Sequence, residues 1–141
     1  MAINEHPALG TILICDFDSS FKEPEMVKPR PVVVISPKIT ARPNLCTIVA
    51  LSTTAPNFKM PYHCQLEIAP PLPQPWTSDK IWVKGDMIYS VGFHRLDLIR
   101  LGKDVNGKRI YRFEVLTDEQ LKEIKACVLK GLGMATLTKH L

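Results

Sequence analysis

The chain has 141 residues, of which 45% are hydrophobic and 23% charged, and it carries a net charge of +4. That length suits one domain around one core. A mean hydropathy near zero, with no apolar run approaching the ~18 to 20 residues of a spanning helix, excludes a disordered or membrane-embedded chain. The slight basic excess is compatible with nucleic acid and decides nothing alone. Met1-Ala2-Ile3-Asn4-Glu5-His6-Pro7 lacks the basic and apolar regions of a signal peptide, so a cytoplasmic location is expected.

Short β-type segments fill the first two thirds. Gly10 to Phe17 reads as a first strand. Lys28-Pro29-Arg30-Pro31-Val32-Val33-Val34-Ile35-Ser36-Pro37 follows, and its four β-branched residues predict a strand covered on both faces. Proline cannot donate to a sheet ladder, so Pro31 marks this strand's entry and Pro37 its exit. Arg30, extended because a proline follows it, stands at the strand's lip, where a guanidinium suits a phosphate. Cys46 to Ser52 reads as a third strand. Tyr62 to Ile68, with Tyr62, Cys64, Leu66 and Ile68 on one face, reads as a fourth.

The tract Ala69-Pro70-Pro71-Leu72-Pro73-Gln74-Pro75-Trp76 is incompatible with a central strand and predicts a surface loop, read as an ordered connector in preference to a docking loop. Ile81 to Val83 and Asp86 to Val91 predict one strand, broken or bulged at Gly85. Leu96 to Leu101 and Arg109 to Val115, joined by Asp104-Val105-Asn106-Gly107, complete the sheet as a hairpin. Thr117-Asp118-Glu119-Gln120 forms a capping box, flanked by Leu116 and Leu121. Leu121, Ile124, Val128 and Leu132 recur at helical spacing, and Gly131 and Gly133 end the helix. The expected fold is one mainly β domain over residues 1–141: a small barrel over about 8–116, sealed by a helix over about 117–132.

Polar groups interrupt this barrel in few places. Beside Arg30 there are the hydroxyls of Ser52-Thr53-Thr54 at a strand end and the Lys84-Gly85-Asp86 group, whose glycine admits a close backbone or ligand. His6, His63, His94 and His140 have no partner at metal or triad spacing. Cys15, Cys46, Cys64 and Cys127 are scattered and read as reduced, buried thiols. A zinc site from His63 and Cys64 is disfavoured because adjacent strand residues face opposite ways. Phosphate loops, G-x-S-x-G and H-E-x-x-H are absent. Arg, Lys, Thr and Asp, without metal or cofactor, suit RNA cleavage in which the ribose 2′-OH is the nucleophile.

These residues carry a resemblance. Gly10 to Phe17, Pro24-Glu25-Met26, Lys28 to Ser36, Val49-Ala50-Leu51-Ser52-Thr53-Thr54 and Gly85-Asp86-Met87-Ile88-Tyr89-Ser90 together resemble the PemK/MazF family of toxin endoribonucleases, over roughly residues 8–133. The resemblance implies an SH3-like small barrel of the PemK/CcdB type that forms homodimers. It also implies a type II toxin that cleaves single-stranded RNA, leaving 2′,3′-cyclic phosphate and 5′-OH ends, and that is held by a cognate antitoxin. By motif, Arg30 and Thr53 match the family's catalytic pair. Asp86 matches a carboxylate base, and Lys84 stands where some members carry an arginine. The Asp18 to Glu23 loop offers no counterpart to a histidine that some members use. Lys28, Thr54, Lys59, Trp76 and Trp82 are candidate RNA contacts, with Phe58 and Tyr62 as further aromatics beside loops. Two other readings fit the same barrel: a catalytically silent RNA- or antitoxin-binding module, and a toxin directed at gyrase.

Overall fold

The computed structural model describes residues 2–18 and 20–141. Met1, in the N-terminal segment read above, and Ser19, in the loop searched for a histidine, lie outside the described residues. The strands are β1 (Ile12–Cys15), β2 (Arg30–Val34), β3 (Leu45–Ser52), β4 (His63–Glu67), β5 (Lys80–Gly92), β6 (Leu96–Asp97), β7 (Arg100–Lys103) and β8 (Arg109–Tyr111), followed by helix α1 (Asp118–Gly131). Strands β4-β5-β3-β2-β1-β6 form one six-stranded sheet in that order, with every pairing antiparallel. The fold is mainly β with one C-terminal α-helix, as expected. The ladder itself is open, with β4 and β6 as its edges.

The sheet is buried on both sides. Val32, Val33 and Val34 are fully buried, because alternate residues of β2 feed opposite cores. On one face Val33, Val49, Leu51, Ile81 and Val83 pack beneath Leu121, Ile124 and Cys127 of α1. On the other, Leu13, Val32, Val34, Ile48 and Ala50 pack with Phe17, Met26 and Phe93. Strand β2 begins two residues earlier than the valine run implied. Pro31 pairs with Ile14 inside the ladder, and Arg30 with Cys15.

The final hairpin departs from expectation. Only Leu96 and Asp97 join the large sheet, while β7 and β8 pair with each other in a separate two-stranded ribbon. Its turn has the anticipated chemistry. The Asp104 carboxylate accepts from the Asn106 and Lys108 amides at 2.8 and 2.9 Å, and Gly107 takes a φ of 79°. The proline-rich segment is an ordered connector: Leu72 is buried, Trp76 packs on the helix-side core, and the buried Arg112 guanidinium donates to the Pro70 carbonyl at 2.8 Å.

The capping box of α1 is present. The Thr117 hydroxyl accepts from the Gln120 amide, and the Gln120 side chain accepts from the Thr117 amide, both at 3.1 Å. At the other end the Gly133 amide donates to Lys130 and the Met134 amide to Leu129, a Schellman closure around the left-handed Gly133. The buried stripe is Leu121, Ile124 and Cys127. Leu132, expected on that stripe, is 58% exposed because the helix stops at Gly131 and the cap turns it outward.

Candidate functional site

The sheet's register decides which polar groups meet. Arg30 precedes Val32 by one pleat repeat, so both stand on one face. Val32 lies opposite Ala50, which extends to Arg30 beside Ser52 where β3 ends. Across β3, Ala50 faces Lys84 and Ser52 faces Trp82. Valines 32 and 34 make this face apolar under β1 and β2, and Arg30, Ser52, Trp82 and Lys84 turn it polar toward β5.

Between Lys84, opposite Ala50, and Ile88, opposite Val49, the register slips, leaving Gly85, Asp86 and Met87 as the expected bulge. Gly85 admits backbone rather than ligand. A Cβ there would lie 2.6 Å from the Cys127 backbone and from the Tyr62 carbonyl. Gly131 approaches from the helix side, where a Cβ would stand 2.9 Å from the Gly85 carbonyl and 3.1 Å from Asp86 Cα. The two glycines dock α1 against the bulge and push Asp86 outward into solvent.

Two adjoining cavities share Arg30 and Met26. One of about 630 Å³ is bounded by Glu23, Glu25, Val27 and Lys28; one of about 300 Å³ by Ser52, Thr54, Asn57 and Lys84. At their junction Arg30 Nε is buried and has no hydrogen-bond partner among the described residues. A buried guanidinium donor without an acceptor is costly unless an anion completes it. Burial holds the Lys84 ammonium below the usual lysine range, and the Arg30 charge adds to this, with Asp86 opposing. Burial likewise raises the Tyr89 phenol, with Glu25 and Asp86 adding to the effect.

Aromatic and cationic contacts tie down the chain beside the larger cavity. Phe17, Phe21 and Tyr89 form a cluster with ring centroids 5.1 to 5.6 Å apart. Arg95 lies 4.8 Å over Phe21, donates to the Asp16 carbonyl at 3.1 Å, and also donates to the Ser20 hydroxyl.

Ser52 Oγ accepts from the Thr54 amide at 3.1 Å and donates to the Thr54 carbonyl at 3.3 Å, so it is occupied in bending the chain. Thr54 lines the smaller cavity. Thr53 sits exposed at the bend between them, outside that lining. Lys28 borders the larger cavity, and Lys59 is exposed on the β3–β4 loop. Trp82 is half-buried on the groove face. Trp76 does not belong to the groove: it packs on the opposite, helix-side core, because the proline loop folds over that face.

Sequence reasoning named His63 and Tyr89 but gave neither a place in the site. The alternation assigned to Tyr62–Ile68 already turned His63 and Gln65 away from Leu66 and Ile68. The partner that gives His63 meaning, Lys84 opposite it on β5, is visible only in the register. Among the described residues no cluster of His, Cys, Asp and Glu has the composition and spacing to hold a metal ion, and no helix is long and apolar enough to cross a membrane.

The chain is thus a small antiparallel sheet covered by one C-terminal helix, with an arginine, a lysine and a hydroxyl turn at one groove. Residues 8–132 match the PemK-like, MazF-like toxins of type II toxin–antitoxin systems, and the chain belongs to that family. It is 30% identical, over an alignment 155 positions long, to the putative uncharacterized protein YifN of Escherichia coli (strain K12), covering 97% of this chain and 99% of YifN. Among solved structures it is similar to an endoribonuclease from a mycobacterial species in complex with its cognate antitoxin. That match has a TM-score of 0.57 at 20% identity and covers 92% of this chain and 97% of the other. MazF from Deinococcus radiodurans aligns with a TM-score of 0.56 at 17% identity, covering 91% and 97%. At these identities the likeness to solved structures is one of fold.

Proposed function

We propose that this chain is the toxin of a type II toxin–antitoxin pair and a metal-independent endoribonuclease acting on single-stranded RNA. The observation that carries the reading is the buried, unpartnered Arg30 Nε at the junction of the two cavities, one of which Lys84, Ser52 and Thr54 also line. In the proposed step, Asp86 orients the ribose 2′-OH and takes its proton. The 2′ oxygen bonds to phosphorus, the bond to the 5′ oxygen breaks, and that oxygen takes a proton from solvent water, balancing the one that Asp86 removes. The products are a 2′,3′-cyclic phosphate and a 5′-OH end. Arg30 meets the charge of the pentacoordinate phosphate and supplies the donor that has no partner in the free protein, with Lys84 as an auxiliary cation.

A hydroxyl of the turn donates to a phosphate oxygen. The family motif assigns that role to Thr53, and the cavity wall adds Thr54. Lys28 and Trp82 border the path of the strand, and Lys59, exposed on the β3–β4 loop, is a further cation for it. The substrate is single-stranded RNA, the partners are a cognate antitoxin and a second copy of the chain, and the setting is the cytoplasm.

Purified protein incubated with single-stranded RNA in chelator is expected to cut it, and Arg30→Ala to lose about 10²- to 10³-fold in rate while keeping its fold by circular dichroism. Undiminished cutting by folded Arg30→Ala would overturn the assignment. RNA bound but never cut would mark the chain as a silent binding module, and gyrase inhibition with intact RNA would mark a gyrase-directed toxin.

A further inference from the structure

The polar face of the groove continues past Lys84. Directly opposed residues of an antiparallel pair project on the same side. Strand β4 sets His63 opposite Lys84 and Gln65 opposite Trp82, while Ser52 faces Trp82 from the other flank of β5. Strands β2, β3, β5 and β4 therefore carry Arg30, Ser52, Trp82, Lys84, His63 and Gln65 on one surface. At about 4.8 Å per strand step, β4 lies about 14 Å from β2. Lys84 stands between them, so His63 and Arg30 face different parts of any strand lying in the groove.

His63 has a defined polarity. The Met60 amide donates to its Nδ1 at 3.1 Å. A ring nitrogen that accepts carries no proton, so the neutral ring keeps its proton on Nε2. Protonating Nδ1 would set two donors against each other. Burial and the Lys84 ammonium disfavour the imidazolium further, with the Asp86 carboxylate opposing them. The Tyr62 ring packs edge-on, 4.6 Å between centroids. His63 is thus a neutral, single-handed donor, poorly suited to be a general base. Among the described residues nothing accepts from its Nε2. Beside it stand a half-buried indole, Trp82, and an exposed amide, Gln65. Stacking surfaces and base-edge hydrogen bonds are what single-stranded RNA readers use.

We infer that His63, Trp82 and Gln65 form a base-recognition subsite for one nucleotide flanking the cleaved bond, with His63 Nε2–H donating to an acceptor on that base's edge. Trp82 supplies the ring on which the base rests, and Gln65 completes the edge contact. The inference rests on the ribonuclease reading above and goes beyond it by assigning sequence preference to β4.

The test is to cut a randomised single-stranded RNA library in chelator and sequence the ends, for wild type, His63→Leu, His63→Gln and Gln65→Ala. Far-UV circular dichroism and urea midpoints verify that each variant is folded. His63→Leu is expected to weaken the preference at a single position beside the cut by about five- to tenfold, leaving the other positions unchanged. His63→Gln, which keeps an N–H donor, should retain part of it. Folded His63→Leu and Gln65→Ala with unchanged base preference would overturn the subsite while leaving the ribonuclease reading intact. A wild type that binds RNA without cutting would have its preference read from selection of a 2′-O-methyl library, where the same single-position loss is expected and its absence is equally fatal. A wild type that neither binds nor cuts RNA would overturn both.

Discussion

Replacing Gly85 by alanine tests the docking of α1 on the bulge. The added Cβ would sit 2.6 Å from the Cys127 carbonyl group and from the Tyr62 carbonyl, and both obstacles are backbone, which cannot rotate aside. Restoring ordinary contact requires both α1 and the chain at Tyr62 to retreat by about 0.8 Å, a gap that forfeits a quarter to a half of the dispersion energy of each contact it opens. Overpacking of this kind costs about 1–3 kcal/mol. Straining the Gly85 amide to Tyr62 carbonyl bond, 3.0 Å long, costs about 1 kcal/mol more. Reduced backbone freedom in the unfolded chain returns about 0.5–1 kcal/mol. The net expectation is a loss of about 1–3.5 kcal/mol, a fall in Tm of about 3–12 °C for a domain this size. Urea unfolding followed by circular dichroism measures it. A Gly85→Ala variant as stable as wild type would refute the close backbone approach, and with it the account of why Asp86 faces solvent.

Three further substitutions have expected outcomes. Lys84→Met should raise thermal stability at pH 7, because the folded state holds that ammonium below its ordinary pKa and so carries a cost wherever it is charged. Wild-type stability should gain on the variant as pH rises through the lowered value toward the ordinary one, and a wild type more stable than the variant at pH 7 would contradict this. The same change should slow RNA cleavage, as happens when a functional charge is held against stability. Thr117→Ala should cost about 1 kcal/mol through loss of the cap. Gln120→Ala should cost more, because Gln120 also donates to the Glu67 carbonyl at 2.9 Å; equal urea midpoints for the two variants would dissociate that link from stability.

Much of the fold was legible before any coordinates, for local reasons. The valine run of β2 needs burial on two faces whatever packs there, and a capping box satisfies its own amides within four residues. The bulge at Gly85 and the turn at Gly107 follow from what glycine alone tolerates. The last hairpin was misjudged because a strand's own sequence does not say which neighbour it pairs with. Arg100–Lys103 has an amphipathic pattern that serves a separate ribbon as well as a sixth-strand extension. Trp76 was misread for a related reason. An aromatic in a proline-rich loop has the same local signature whether it faces RNA or folds back on a core.

The sequence by itself determined that Arg30 would stand extended at a strand's start, because two prolines and a valine run leave the backbone no other choice. It also determined that hydroxyls would end β3 and that a capped helix would close the chain. Only the tertiary structure decided what meets Arg30. Register is a long-range property: a slip of one residue would turn Lys84 and His63 to the helix side and bring Val83 and Cys64 to the groove. The pairing of β2, β3, β5 and β4 turns scattered polar residues into one surface. It also leaves the Arg30 donor open at the β2 end of that surface.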